Sequence, residues 1–220
     1  GPCWIQVKNP RPVQASFSWT KIEIGVDNPK FVSILKTKAL APSLTTMCVS
    51  MKTVLNPATH THEIVAISAV INHDVAVDGE TDEDPKSCRS FTLVRQLGTS
   101  CGSNYPNVFP HDLSSEVKKV KARFDLNVMP NERAMLDSFF IRLGNEDPDI
   151  MVSHNLFGFE FDVLLARAAA CKVSAWSKIG RLRKSKVPRS VSERDFAAGR
   201  ILCDTYKAAK EFLRETTYSL

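Results

Sequence analysis

Two long β-prone runs, separated by one short turn, constrain the fold of this 220-residue chain more than any other feature. Residues 45–53 and 63–71 are rich in valine, isoleucine, threonine and methionine, and Asn56-Pro57 lies between them. This composition favours strands, and the asparagine–proline pair marks a turn. We therefore expect two neighbouring strands of a central sheet, to which residues 90–94 add a third.

The second half of the chain alternates between short β-prone runs and helical spacing. Apolar residues recur at helical spacing from Asn131 to Leu143, which predicts a helix with Asn131 as its N-cap and Gly144 just past its end. Further strands and helices are predicted at 150–152, 159–172, 201–204 and 205–214. Adjacent strands followed by strand–helix units predict an α/β fold, a mixed sheet with helices packed on its faces.

The first 44 residues predict a separate β-rich leading segment. Residues 4–7 and 17–24 have strand-like composition and are joined by a proline-bearing turn, and Pro42 marks the exit from this region. Gly1-Pro2 is typical of the scar left when a purification tag is removed, so we expect an artificial start.

Composition indicates a folded, intracellular protein. Hydrophobic residues make up 43% of the chain, and apolar stretches fall far short of the roughly 20 residues that a membrane helix needs. The six cysteines form no C-x-x-C pair, so we expect reduced thiols, with Cys48, Cys171 and Cys203 packed as small hydrophobes. His60 and His62 are expected in a loop beside a strand.

Charge is distributed unevenly around a net value of +5. Acids cluster in residues 78–84, which we interpret as a solvated loop. Residues 178–189, here called the basic ribbon, hold six cations and no acid. These cations are Lys178, Arg181, Arg183, Lys184, Lys186 and Arg189. The ribbon favours a polyanionic partner whose phosphates it would neutralise without reading bases, although a solvated face is the alternative.

Three sequence motifs carry a resemblance to a known family. They are M-C-V-S-M-K-T at 47–53, D-P-D-I-M-V-S-H-N-L-F-G-F-E-F-D at 147–162 and W-S-K-I-G-R-L at 176–182. Together they resemble the exonuclease-like region of the family B replicative DNA polymerases. The resemblance covers residues 45–220 and implies a ribonuclease H-like (DnaQ-like 3′–5′ exonuclease) fold. It makes residues 1–44 the segment that links to the polymerase N-terminal domain.

The resemblance also implies that the exonuclease chemistry is lost. Active members of the family carry an Asp-x-Glu pair on the first strand, which falls on Ser50 and Lys52 here, and their next aspartate falls on Glu160. Two-metal hydrolysis needs carboxylates to hold both ions, whereas a lysine places a positive charge beside them. We expect neither metal nor catalysis at these degenerate positions. The family's third motif has no counterpart before Leu220, so we expect a domain truncated ahead of it.

The resemblance extends to the function of the parent polymerase. It implies a nuclear DNA-directed DNA polymerase that extends RNA–DNA primers with a primase and a B subunit. That parent would bind DNA and RNA–DNA primer–template, use Mg, and hold Zn or an iron–sulfur cluster in its C-terminal region, outside this chain. Two alternatives remain open: an active metal-dependent 3′–5′ exonuclease, or a nucleic-acid or protein docking module without enzymatic context.

Several polar and aromatic residues have a structural interpretation beside a functional one. Asp204 is expected to end a strand and hold a loop by hydrogen bonding, and Asp162 to complement the dipole at a helix start. Asn155 is expected to end a strand. Trp176 could stack on an unpaired base, but we expect a core position.

Overall fold

The computed structural model describes residues 4–35, 42–76, 88–97, 109–120, 125–188, 195–213 and 217–218. The predicted acidic loop at 78–84 and Arg189 of the basic ribbon lie outside these described residues.

A mixed six-stranded sheet forms the centre of the molecule. Its strands are β5 (Leu44–Asn56), β6 (Thr61–Val75), β7 (Cys88–Arg95), β8 (Asp125–Met129), β9 (Ile150–Ser153) and β10 (Ile201–Asp204). They follow the spatial order β10-β9-β5-β6-β7-β8. The long β5, β6 and β7 pair antiparallel, while β9 runs parallel to both β5 and β10, and β8 parallel to β7. The predicted mixed sheet is confirmed, although β8 was not foreseen.

The helices are α1 (Leu113–Val120), α2 (Glu132–Glu146), α3 (Phe161–Ala170) and α4 (Thr205–Phe212). A π-helical turn at Leu156–Glu160 precedes α3, and a 3-10 helix spans Ser174–Ile179. Helices α2 and α3 pack on one side of the sheet around a buried apolar core. Its members include Met47, Val49, Met51, Ile67, Leu93, Phe139, Phe140, Phe161 and Leu164. The predicted α/β fold with helices on a sheet is confirmed.

Helix α2 begins where the sequence predicts and ends later. The side chain of Asn131 accepts a hydrogen bond from the Ala134 N–H at 2.8 Å, which confirms the N-cap. The predicted end at Gly144 is wrong, because α2 continues to Glu146 and is capped by Asp147 in the left-handed conformation. Gly144 serves close packing instead: a Cβ there would lie 2.8 Å from the Lys178 side chain.

Within its described residues, 4–35 and 42–44, the leading segment contains four short strands in two pairs. They are β1 (Ile5–Val7) with β4 (Val32–Ile34), and β2 (Arg11–Pro12) with β3 (Ile24–Gly25). The predicted strand at 17–24 is wrong, because the chain bends back on itself there. The Glu23 carboxylate accepts N–H groups from Ser18 at 2.5 Å and Phe17 at 3.3 Å. The Ser18 side chain, together with these N–H groups, holds the pKa of Glu23 below its ordinary value. These local hydrogen bonds replace a strand ladder.

Three smaller expectations are corrected. Cys48 is exposed rather than packed, because it lies on the outward side of β5, and Cys171 and Cys203 are only half-buried. His62 lies within β6, where its ring meets Phe159 edge-on at 5.0 Å. Helix α3 is shorter than the predicted 159–172 at both ends, and α4 ends before the predicted residue 214. No helix among the described residues is long and apolar enough to span a membrane.

Candidate functional site

A cleft with a volume of about 850 Å³ opens at the edge of the sheet where the parallel strands β9 and β10 end beside β5. Carboxyl ends of neighbouring parallel strands commonly form ligand crevices in α/β proteins. The polar and aromatic side chains that line this cleft include Ser50, Lys52, His154, Asn155, Glu160 and Tyr206. All three predicted degenerate exonuclease positions therefore meet in one cleft.

The alternation of β5 decides which side chains reach the cleft. Met47, Val49 and Met51 are buried in the core, so the intervening residues point to the opposite side. Ser50 and Lys52 are both exposed on that side. Ser50 and Lys52, the two positions of β5 predicted to be degenerate, therefore present a hydroxyl and an ammonium on the same side of the strand.

Glu160 is held by its own neighbours at the end of the π-helical turn. Its Oε1 accepts the Met51 N–H at 3.3 Å, and its Oε2 contacts the hydroxyl of Ser153. The same hydroxyl reaches the Val49 carbonyl oxygen at 2.8 Å. Burial raises the pKa of Glu160 above its ordinary value, and the hydrogen bonds from Ser153 and Met51 only partly oppose this. Burial therefore disfavours the charged form that a cation would require.

The donor set of the cleft does not fit a pair of divalent ions. Mg²⁺ prefers carboxylate and water oxygens, but Ser50 offers a hydroxyl and Lys52 an ammonium. Glu160 alone supplies a carboxylate from these three positions. Across the described ranges, no group of three or more His, Cys, Asp or Glu side chains is placed to hold a metal ion.

Asp204 ends β10 and holds a neighbouring turn by hydrogen bonding, as the sequence predicts. Its carboxylate accepts the N–H groups of Asn155 at 3.0 Å, Phe157 at 3.2 Å and Tyr206 at 3.0 Å. It thereby joins the start of α4 to the turn after β9. The expectation that Asn155 ends a strand is wrong, because β9 ends at Ser153. Asn155 lies in the turn that follows and takes the left-handed conformation with φ of 58°. Asp162 lies in the first turn of α3.

Two aromatic residues of the cleft were missed by the sequence reasoning. The His154 ring meets Tyr206 edge-on at 5.5 Å, and its Nδ1 lies 3.2 Å from the Thr205 hydroxyl. The other nitrogen, Nε2, lies 2.8 Å from the Tyr218 carbonyl oxygen. Their sequence positions could have indicated a role in the cleft, because both residues closely follow β-prone runs whose ends form it.

The structure divides the basic ribbon into paired and exposed cations. Arg181 donates to Asp147 Oδ1 at 3.0 Å and to Asp149 Oδ1 at 2.7 Å. Arg200, which lies outside the ribbon, donates to the same Asp147 oxygen at 2.8 Å. Although burial raises the pKa of Asp149, hydrogen bonds from Thr45 and Arg181 lower it below the ordinary value. Arg181 therefore joins α2 to β9 within the fold.

Other ribbon cations lie against Trp19 of the leading segment. The Arg183 guanidinium carbon is 4.4 Å from the Trp19 ring centre, and Lys178 Nζ is 5.3 Å from it. Lys184 donates to the Asp195 carbonyl oxygen, and Lys186 is exposed. Trp176 is 4% exposed, which confirms its core position.

Comparison with known proteins identifies the class to which this fold and cleft belong. The chain is a member of the family described as DNA polymerase family B, exonuclease domain, whose model matches residues 1–220. Among curated relatives, the DNA polymerase alpha catalytic subunit of Xenopus laevis is 37% identical over 225 residues. The same subunit of Mus musculus is 36% identical, and that of Arabidopsis thaliana 35%.

All of this chain is covered in each comparison, and it spans only 15–16% of the length of these relatives. The resemblance to the family B polymerases that the three motifs predict is confirmed.

Proposed function

We propose that this chain is a catalytically silent exonuclease-like domain of a DNA polymerase alpha catalytic subunit. The parent would be a nuclear, Mg-dependent polymerase that extends RNA–DNA primers with a primase and a B subunit. Zn or an iron–sulfur cluster would belong to its C-terminal region. Full coverage of this chain by alpha subunits from animals and plants supports this origin.

The proposed lack of exonuclease activity rests on the side chains that the cleft offers as metal ligands. Ser50 and Lys52 face the cleft from the exposed side of β5, where an active member presents two carboxylates. Relative to that pair, the local charge is more positive by three units. At an effective dielectric constant of about 20, each unit at about 4 Å is worth roughly 4 kcal/mol. Such a field opposes a divalent ion.

Restoring the two acids is expected to create a metal site. The variant Ser50→Asp/Lys52→Glu should bind Mn²⁺ at least about tenfold more tightly than the original chain, because two carboxylates then join Glu160. Isothermal titration calorimetry with Mn²⁺ measures this. The matched control is Ser33→Asp/Lys30→Glu, which makes the same charge change at exposed positions of the leading segment. Equal Mn²⁺ affinity in both variants would show that the cleft does not position the restored carboxylates to bind a metal ion.

The proposal also gives the basic ribbon a role in holding nucleic acid. Arg181 is engaged in ion pairs, and therefore the contribution falls on Lys184, Lys186 and the outer side of Arg183. Cations on a surface neutralise phosphates without reading bases, and their effect depends on salt.

Reversing two ribbon charges is expected to weaken nucleic-acid binding. Lys184→Glu/Lys186→Glu should lower affinity for labelled single-stranded DNA and for an RNA-primed template by about tenfold. The salt slope on the single strand should fall by about 1.4. Fluorescence anisotropy over a salt series measures both. The control variant, Lys8→Glu/Lys30→Glu, makes the same change at exposed lysines of the leading segment. If both variants weaken binding equally, only net charge matters and the ribbon has no specific role.

A further inference from the structure

We infer that Phe17, Trp19, Lys178 and Arg183 form an aromatic–cation platform on which an unpaired base of a single nucleic-acid strand stacks. This inference rests on the proposed nucleic-acid role of the basic ribbon. It adds that the contact is base stacking and that the nucleic acid is single-stranded. Phe17 is the stacking residue. The platform joins the leading segment to the ribbon, two parts of the chain about 160 residues apart.

The backbone places Phe17 directly beside Arg183. The Arg183 N–H donates to the Phe17 carbonyl oxygen at 2.9 Å, and the Trp19 N–H donates to the Arg181 carbonyl oxygen at 2.8 Å. Ser18 and Leu182 form the antiparallel bridge between these bonds. In such pairing, residues opposite each other project to the same side, so Phe17 and Arg183 share one side of this two-stranded contact.

Phe17 is exposed although its neighbours are fixed. Its side chain is 73% exposed, so the ring is open to a ligand from solvent. The neighbouring Trp19 is anchored, since its Nε1 donates to the Ser177 hydroxyl at 3.2 Å. Phe17 therefore presents a ring on a rigid support, which lowers the entropy lost when a flat ligand stacks on it.

The cations of the platform are held in position before any ligand arrives. Arg183 lies over Trp19 at 4.4 Å while its Nε donates to the Ser18 carbonyl oxygen at 2.7 Å. Its guanidinium is therefore fixed over Trp19, on the side of the two-stranded contact to which Phe17 also projects. Lys178 approaches the same Trp19 ring at 5.3 Å.

Charge favours a nucleic-acid strand over an apolar protein segment as the occupant. The nearby acid Glu23 is engaged by the N–H groups of Ser18 and Phe17. The chain that follows Arg183 adds Lys184 and Lys186. Aromatic rings interleaved with cations are the usual combination for single strands, because bases stack while cations follow the phosphates.

Anisotropy with three labelled probes tests the inference: a mixed-sequence single strand of roughly 12 nucleotides, an abasic strand of the same length, and a duplex. Phe17→Ala should weaken binding of the mixed-sequence strand by about tenfold and leave the abasic strand unchanged, whereas Phe17→Trp should keep the affinity. The matched control is Phe212→Ala, which removes an equally exposed ring, 79% exposed, from α4. Circular dichroism confirms that each variant is folded.

The outcomes separate this inference from the proposed function. Lys184→Glu/Lys186→Glu should weaken binding of all three probes. If it does so while Phe17→Ala binds the mixed-sequence strand normally, stacking is overturned and the ribbon's role stands. Equal weakening of mixed-sequence and abasic strand binding by Phe17→Ala also overturns stacking. Absence of binding to every probe by the original chain at low salt overturns both.

Discussion

Replacing Glu132 with alanine is expected to cost about 3–5 kcal/mol of the free energy of unfolding, because it removes the carboxylate partner of Arg167 and one of the two carboxylates beside the buried Arg95. Glu132 accepts two hydrogen bonds from Arg167, at 2.9 and 2.6 Å, and the Ile64 N–H at 2.8 Å. Arg95 lies 3.8 Å away and also pairs with Glu63. The side chains of Glu132 and Arg95 are only 7% and 6% exposed.

Urea denaturation measures this loss. Arg133→Ala, one residue along α2, is the matched control, because its pair with Asp137 is long at 3.9 Å and its side chain is 61% exposed. Surface pairs of this kind contribute about 0–1 kcal/mol. The expectation fails if Glu132→Ala changes the unfolding free energy no more than Arg133→Ala does, since the buried network would then contribute nothing to stability.

A comparable loss, about 3–5 kcal/mol, is expected for Arg200→Ala. The Arg200 side chain is 1% exposed and pairs with Asp147 at 2.8 Å. It also donates to the carbonyl oxygens of Pro148 and Ile179. Burial lowers the pKa of Arg200, and the hydrogen bond to Asp147 opposes this. Alanine would leave the two carbonyls and part of the Asp147 charge without donors.

The measurement is again the free energy of unfolding, with Arg11→Ala as the exposed control. Arg11 pairs with Asp27 at 2.8 Å, but its side chain is 71% exposed. The free-energy loss for Arg200→Lys should fall between those for Arg200→Ala and Arg11→Ala, because lysine keeps the charge and loses the planar fork that reaches four acceptors. A lysine variant as stable as the original chain would contradict the argument from fork geometry.

The sequence was sufficient to predict secondary structure wherever that structure follows a local periodic pattern. The strands β5 and β6 and the start of α2 could be predicted because alternation and capping act over a few residues. The positions of Ser50 and Lys52 on one exposed side of β5 follow from the same alternation. Their meeting with Glu160 required the family resemblance, because 108 residues separate Lys52 from Glu160 in the chain.

The failures fall where distant side chains decide the outcome. The bend at 17–24 depends on one carboxylate, Glu23, turning back to bind two N–H groups. The structural role of Arg181 depends on acids more than 30 residues away, so a run of cations gave no sign that one of them was already paired. Charge composition identifies a basic surface, and three-dimensional pairing decides which of its cations remain available.

The outward side of β5 also bears on how such a domain changes over time. Cys48, Ser50 and Lys52 are exposed, while the alternate residues of the same strand hold the core. Substitutions at the outward positions alter the chemistry of the cleft without disturbing core packing. The chemistry of the cleft and the stability of the fold are thus encoded on separate sides of one strand, so the cleft can be changed or re-engineered without rebuilding the interior.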